Sequence, residues 1–577
     1  MKALGCPLWG FKPPASPSHR FTSMSSSTYR YLPALFLGLP LLLSPGRAQQ
    51  FTLLSTGSAN IGTGTGGGEV TAFDPATKRL FVTRTQPGVA MGVNYFDYTN
   101  PSNPSPIGFI DFSTTFGTVD DAESTTSVAV DPLGRGFGVA ALLPNRDPAF
   151  NPTNTVLGKI GFFDTQTGAI LNTVNVGFHP DMVTFSPDGS RLVIANEGEY
   201  VALSTATQQP GSVSTLDLSG VTAANRAATL GGLSNASVTT VDFSSAPGLL
   251  AGVRPTTPIL GGTGGNETQV QAIEPEYISV QGTRAFVSLQ ENNAIGVFDL
   301  TSSSFTAVHN LGTINQLVDA VSGNGAGTFN HTIKGLPMPD TLAAFEHAGK
   351  TYLATANEGD SREDGKDQMS VLNLGQPGFP TYEGAPLDSS LRALRISRID
   401  GDTDADGAID EIHMYGTRSF SIFDADTGAL VYDSGNFFEA YIALNDPAGY
   451  VDSRSPQKGP EPEALAVGTV DGKRLLAVGM EQTNSLFLFD ISDPTSPVFL
   501  DYERLSGAQV PVRPESFNFV SAADSPIGVA LLLVGYEGSD PESERLGVFA
   551  LGAVPEPSSA ALLLLAGLGC ITRRRRL

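Results

Sequence analysis

Acidic residues in this chain recur at the two ends of short apolar hairpins, a spacing that gathers carboxylates. One acid opens a strand, often after proline: Glu69, Asp181, Glu276, Asp340, Glu463 and Glu515. A second closes the next strand. Asn196-Glu197-Gly198-Glu199 matches Asn357-Glu358-Gly359-Asp360, and Glu291, Glu481 and Glu537 hold the same place elsewhere. Hairpin strands run antiparallel, so the start of one and the end of the next meet at one rim; about ten carboxylates are expected round one opening. Like charges this close repel and raise one another's pKa. Bound Ca²⁺ would offset that, because a hard cation takes carboxylate and carbonyl oxygens. Turn amides and the arginines Arg362, Arg418 and Arg454 would do so too, and the sequence leaves both open.

A sharper calcium pattern lies in Asp402-Thr403-Asp404-Ala405-Asp406-Gly407-Ala408-Ile409-Asp410-Glu411. Acids at positions 1, 3 and 5, glycine at 6 and an apolar residue at 8 form the first part of an EF-hand-like loop. His413 stands where the closing glutamate belongs, and no helices flank the segment. We expect a calcium loop between strands, with Asp402, Asp404, Asp406 and Asp410 as ligands; a solvated acidic turn is the plainer alternative.

No familiar nucleophile constellation exists. The chain lacks a Gly-x-Ser-x-Gly elbow, a His-Glu-x-x-His helix and a phosphate loop. His179 heads one strand motif and would face the opening; a lone histidine is more often a turn residue than a ligand. Carboxylates, calcium and a few cations could still hold a phosphoester: metals neutralise its oxygens, arginine forks them and a carboxylate activates water. Glu197, Glu276, Glu358 and Glu463 are then the candidates for metal ligand or base. Candidate ligand-binding residues at the rim are Asp181, Asp340, Arg362, Arg418, Arg454, Lys458 and Glu515.

The elements that must position these groups repeat. Openings of the unit read Glu69–Asp74, Ser127–Asp131, Pro180–Phe185, Pro275–Val280, Pro339–Phe345, Pro462–Val467 and Pro514–Phe519. A turn follows, then a second apolar strand such as Arg191–Ala195 or Leu531–Val534. A third ends in an aromatic and aspartate, as in Gly161-Phe162-Phe163-Asp164 and Phe487-Leu488-Phe489-Asp490. Seven units of three or four strands, with no helices between them, predict an all-β, seven-bladed β-propeller. Two tandem β-sandwiches are the alternative, which the repeating strand order disfavours. Loops around residues 201–270 and 361–415 are expected insertions. The strand Phe51–Ser55 should complete the last blade beside Leu546–Leu551, removing the open edge.

Composition excludes much. The chain has 34 Lys and Arg against 58 Asp and Glu, a net charge of −24. Nine of the basic residues and one acid lie in the two ends, so residues between them carry 25 and 57. Such a surface repels nucleic acid and anionic lipid and attracts cations. Cys6 and Cys570 also lie in the ends, so no disulfide staples the middle. Residues 1–48 fit a signal peptide: an apolar core, Tyr31–Leu43, then Gly46-Arg47-Ala48 for cleavage. Met24 offers an alternative start, which shortens the leader. Residues 554–577 run from Val554-Pro555-Glu556-Pro557 through an apolar stretch to Arg573–Arg576. The order of Pro555, Glu556 and Pro557, greasy tail and basic stop resembles the bacterial PEP-CTERM sorting signal. That resemblance implies export, a membrane contact only through this segment, and a sorting protease of the exosortase type as partner.

The motifs of residues 49–553 resemble the secreted choice-of-anchor I propellers, some of them labelled alkaline-phosphatase-like. The resemblance rests on His179-Pro-Asp181 with Asn196–Glu199, Glu274-Pro-Glu-Tyr277 with Leu289-Gln-Glu-Asn-Asn-Ala294, and Ala356-Asn-Glu-Gly-Asp360 with Arg362. Tyr415-Gly-Thr-Arg-Ser-Phe-Ser-Ile422 and Lys458-Gly-Pro-Glu-Pro-Glu463 complete it. Tyr200 departs from an expected proline, and Met480-Glu481-Gln482 from a Leu-Glu-Arg stretch. The expectation is an exported, surface- or matrix-associated propeller that binds calcium and a ligand or partner, such as an extracellular polysaccharide or a surface protein. Its alternative is a calcium-dependent phosphoesterase of alkaline-phosphatase or phytase type, by fold-level analogy.

Overall fold

The computed structural model describes residues 49–553 apart from 59–69, 87–88, 148–150, 152, 154, 199–208, 257–258, 261–267, 363–364, 506–511 and 539–544. The expected signal peptide with Met24, the rim acids Glu69 and Glu199, and the sorting motif Pro555, Glu556 and Pro557 lie outside the described residues.

Seven four-stranded antiparallel sheets form the blades. Their innermost strands are Thr71–Asp74, Ala122–Val130, Pro180–Phe185, Pro275–Gln281, Leu342–His347, Pro462–Val470 and Pro514–Val520. All seven coincide with the repeat openings. The second strands of the blades are largely buried, because neighbouring blades cover both faces. Phe137–Pro144 and Ala530–Tyr536 are buried at every position. A continuous apolar run of this length marks a strand with no solvent face.

Seven hydrophobic clusters fill the seven seams between successive blades. One joins Phe137 and Ile160 of blade two to Val183 and Leu192 of blade three. Another joins Leu531 and Val548 of blade seven to Leu80 and Val82 of blade one. A seam between the last and first blades makes the ring closed. Chain pairing closes it as well: Gln49–Ser58 lies antiparallel to Arg545–Ala553, with Phe51 opposite Leu551. The Phe51 amide donates to Asp501 at 2.7 Å, tying the closing strand to blade six.

Three details differ from the sequence expectation. Residues 201–270 are not one inserted loop: Ser212–Asp217 and Val238–Asp242 are the third and fourth strands of blade three. Their serines and threonines hid them. The sheet pairs those hydroxyls internally, as in Ser214 with Thr240 at 2.7 Å. A nine-residue helix, Phe437–Asn445, also stands between blades five and six, where none was expected. It buries Phe438 and Ile442 in the seam of those blades. The insertion of blade five is larger than 361–415. It combines a three-stranded sheet (Ile314–Val318, His331–Leu336, His413–Tyr415) with the pair Gln368–Ser370 and Arg395–Ser397. It has its own core around Ile333, Met369, Ile396 and Met414.

Phe51 is 8% exposed and meets Phe549 edge-on at 5.7 Å. Phe51→Ala should therefore cost about 3 kcal/mol, measured as a lower urea midpoint at unchanged slope. A loss below 1 kcal/mol would mean that the closing strand contributes little.

Candidate functional site

The rim is built by one repeated backbone device. In blades three, five, six and seven the residue before the opening proline has a left-handed backbone: His179 (φ 49°), Met338 (45°), Glu461 (56°) and Arg513 (62°). Non-glycine residues adopt this conformation at a cost of order 1 kcal/mol, so something must hold it. The end of the next strand does. The Glu197 amide donates to the His179 carbonyl at 2.8 Å, Glu481 to Glu461 at 2.8 Å, Glu537 to Arg513 at 3.0 Å and Gly359 to Met338 at 3.1 Å. Each bond brings the two acids of one hairpin to one rim.

The Asn-Glu-Gly motif follows from the same geometry. Asn196 is fully buried; its amide donates to Ser214 at 2.9 Å and its oxygen accepts from the Gly177 amide at 3.0 Å. Asn357 donates likewise to Ser421 at 2.7 Å and Thr417 at 2.9 Å. Asparagine thus clamps the strand end to its neighbour and leaves the following glutamate at the mouth. The glycine is required twice over. Gly198 and Gly359 have φ of 76° and 80°. A Cβ on Gly359 would lie 1.9 Å from the Gly416 amide nitrogen.

The innermost strands enclose a channel of about 910 Å³. Ten of the expected acids line it: Asp181, Glu197, Glu276, Asp340, Glu358, Asp360, Glu463, Glu481, Glu515 and Glu537. Glu461 joins them, an acid that the sequence reading did not single out. Its signal was present in Pro460-Glu461-Pro462, where two prolines fix the turn. Glu291 is a correction: it is absent from the lining and packs toward Glu274 and Asp360.

Crowding in a desolvated mouth shifts these groups upward. Burial pushes Asp181 up to about 7. Burial, then repulsion from Glu291, Asp340 and Glu197, holds Glu276 well above the carboxylate range. Glu463 rises likewise through burial and then Glu515 and Glu358, and Asp340 through burial and then Glu358. Glu358 reaches about 6, raised by burial and checked by Lys458. Glu461 reaches about 7 through burial, against the pull of Lys458.

Cations compensate only one side. Lys458 ion-pairs with Glu358 and lies 3.6 Å from Asp360 and 3.7 Å from Glu461. Arg454 Nε donates to Glu461 at 2.9 Å. Arg513 meets Glu481 at 3.3 Å and Glu537 at 2.7 Å. Among the described residues no lysine or arginine ion-pairs with Asp181, Glu276 or Glu463. Glu276 Oε2 and Glu463 Oε2 are buried without a hydrogen-bond partner.

Two of the expected ligand-binding arginines are elsewhere. Arg418 is fully buried, donating to Glu439 on the helix at 2.8 Å and to the Asp319 and Ser455 carbonyls at 2.9 and 2.8 Å. Its backbone is left-handed, with a φ of 58°. Arg362 is buried within the insertion against the Thr256 carbonyl at 3.2 Å. Sequence proximity to the rim motifs does not place a long side chain, which can leave in either direction. The Asp402, Asp404 and Asp406 carboxylates gather within 4.8 Å of one another. Asp402 also accepts the turn amides of Ala405 at 2.7 Å and Gly407 at 2.9 Å, while Asp410 accepts from Thr403 instead of joining them. The loop forms in blade five's insertion and not at the channel.

A closed seven-bladed propeller with one acid-lined mouth is thus the class of this protein. Residues 69–494 match the choice-of-anchor I domain, and the chain belongs to that family. It is 29% identical over 213 residues to the mesenchyme-specific cell surface glycoprotein of Strongylocentrotus purpuratus, covering 29% of this chain and 27% of that one. To Gigasin-3a of Magallana gigas it is 31% identical over 118 residues, 18% of this chain and 41% of that one. The chain thus spans less than half the length of either relative. Among solved structures, Kuenenia stuttgartiensis hydrazine synthase aligns at TM-score 0.43 and 12% identity, over 86% of this chain and 98% of that one. The WD40 domain of Toxoplasma gondii coronin gives 0.43 and 8%, over 88% and 90%. Among the described residues no helix is long and apolar enough to cross a membrane.

Two measurements follow. Arg418→Ala would strand the Glu439 carboxylate in the core and should cost about 3–5 kcal/mol in urea unfolding; an unchanged midpoint would return Arg418 to the list of ligand-binding groups. In metal-stripped protein the raised carboxylates bind protons in the folded state that the unfolded chain, near pKa 4, has already released. Their contribution to stability is present below pH 4 and is lost as pH rises through about 6 to 7. Asp181→Asn should flatten the fall in urea midpoint between pH 5 and 8; an identical slope in the variant would show that Asp181 is not crowded.

Proposed function

We propose that this protein is exported and works at the cell surface or in the extracellular matrix. There it acts as a calcium-bearing propeller that binds a polysaccharide or a surface protein through its acid-lined mouth. The observation that carries this is Glu463. Its Oε2 is buried and unpartnered, and it faces the like charges of Glu515, Glu358, Glu481 and Asp340. An all-oxygen donor set with excess negative charge suits a hard divalent cation, and calcium accepts six to eight such oxygens in flexible geometry. Glu463 and the acids it faces would hold it, neutralising the mouth and leaving open positions for hydroxyl or carboxylate groups of a ligand.

Surface location draws support from the family, from a relative whose name is that of a cell surface glycoprotein, and from the two chain ends. The leader would direct export. The Pro555-Glu556-Pro557 tail would hold the protein in the membrane transiently, until an exosortase-type protease acts. The phosphoesterase reading gains less from the same geometry. Lys458, Arg454 and Arg513, the cations at the mouth, are each engaged by a carboxylate, so none stands ready to fork a phosphate.

Chelator-stripped protein titrated with Ca²⁺ should bind it and melt at a higher temperature. Glu463→Gln should weaken the mouth site at least tenfold while raising the melting temperature of the stripped form. Asp404→Ala should remove a second, separate equivalent from the Asp402 loop. Absence of any calcium-dependent shift in the parent protein would overturn the proposal. Calcium-dependent turnover of a phosphomonoester, abolished by Glu358→Gln, would replace it with the enzyme.

A further inference from the structure

The mouth is not chemically uniform. Among the acids of the mouth, blade three contributes a nitrogen. His179, Asp181 and Glu197 place a ring nitrogen and two carboxylate oxygens within 4.8 Å of one another. Both side chains that bracket Asp181 are nearly buried: His179 is 10% exposed and Glu197 14%.

The contacts at His179 conflict. Its Nδ1 lies 3.2 Å from the Arg146 guanidinium and 3.2 Å from Glu197 Oε2. A ring nitrogen carries either a lone pair or a proton. With the lone pair it accepts from Arg146 and faces the Glu197 oxygen, acceptor against acceptor. With the proton it donates to Glu197 and faces the guanidinium, donor against donor. Arg146 is itself fixed by Glu123, to which its Nη2 donates at 3.0 Å. A cation that takes the Nδ1 lone pair in place of the Arg146 hydrogen bond removes the first conflict, and Arg146 keeps its bond to Glu123.

An independent observation comes from blade four. Glu276 is 9% exposed, lines the mouth beside Asp181 and Glu197, and leaves Oε2 buried with no partner. The residues on this side thus offer one imidazole and three carboxylates, and no lysine or arginine ion-pairs with Asp181 or Glu276 among the described residues.

We infer that His179, Asp181, Glu197 and Glu276 form a second metal site, for a first-row transition ion of the zinc type, distinct from the calcium corner. Imidazole is the discriminating ligand. Calcium takes oxygen donors almost exclusively, whereas zinc binds histidine nitrogen at about 2.0–2.1 Å and carboxylate oxygen at about 2.0–2.2 Å. Tetrahedral zinc with bonds of that length sets its ligand atoms about 3.3–3.5 Å apart; His179 Nδ1 and Glu197 Oε2 already lie 3.2 Å apart, and an Asp181 oxygen lies within 4.8 Å of its partners. The chain between its two ends contains no cysteine to compete for the ion. The inference stands apart from the calcium reading, since the two sites share no ligand.

The test is a Zn²⁺ titration of the chelator-stripped full chain in millimolar Ca²⁺. One tight equivalent that calcium fails to displace is expected. His179→Asn should weaken it at least tenfold with calcium binding unchanged, and asparagine tolerates the left-handed backbone at this position. Glu197→Gln provides a second variant should His179→Asn fold poorly, with the same expected loss. Displacement of zinc by calcium, or parent-like zinc binding in both variants through surface histidines, would overturn the inference. Loss of calcium binding alone would leave it intact and strike only the calcium proposal.

Discussion

The rim in four of the seven blades depends on one repeated backbone hydrogen bond. The amide at or just after the close of a blade's second strand donates to the carbonyl of the residue before the opening proline, at 2.8 to 3.1 Å in four blades. That bond holds a left-handed residue that would otherwise relax, and in blades three, six and seven a one-residue shift in pairing register stands beside it at the blade opening. The shifts fall at Pro180/Met182, Pro462/Leu465 and Pro514/Ser516. A bulge of this type re-aims a side chain and is common next to functional sites. Here it turns both acids of a hairpin inward. Proline suits the position because its missing N–H leaves no donor unpaired at the bulge.

The consequence is a concentrated charge in a low-dielectric mouth, which no isolated blade would tolerate. Its repulsion is spread over seven seams of tightly packed aromatic and aliphatic side chains. The seam of blades five and six is the richest: Phe420, Phe437, Phe438, Phe487 and Phe489 pack with centroids 4.8 to 6.2 Å apart. That seam abuts the side of the mouth where Lys458 and Arg454 sit. Electrostatic compensation and hydrophobic reinforcement therefore fall together, whereas among the described residues no lysine or arginine ion-pairs with Asp181 of blade three or Glu276 of blade four.

The blades were legible because period and punctuation agree. Proline or an acid opens a strand, a glycine turn follows, and an aromatic–aspartate pair closes the third strand, where Asp164, Asp299 and Asp424 cap the turn amides after them. Blade three's outer strands were not legible. Ser212–Asp217 and Val238–Asp242 carry hydroxyls where other blades carry valine and phenylalanine, and those hydroxyls pair with each other and with Asn196. Side-chain direction was legible for short acids held by the bulge, and not for arginine. Arg418 and Lys458 stand in equally suggestive motifs, yet one leaves the channel to meet Glu439 and the other enters it to meet Glu358. Nothing in local spacing encodes that choice; the helix Phe437–Asn445, which supplies Glu439, decides it.

One departure from the family pattern acquires a meaning once the mouth is seen. Gln482 stands where the pattern has arginine, and its amide donates to Glu461 Oε2 at 3.3 Å. A neutral amide can replace one hydrogen bond of a guanidinium but none of its charge. With arginine there, Glu461 would be doubly compensated, by that side chain and by Arg454, and Lys458 would be freer to serve Glu358 alone. With glutamine, Lys458 and Arg454 are shared among Glu358, Asp360 and Glu461, and Glu463 keeps a bare buried oxygen. The substitution thus moves the mouth one charge toward cation demand. It does so on the rim where the donor atoms are all oxygen, which is the setting in which a hard divalent ion replaces a missing guanidinium with the least rearrangement.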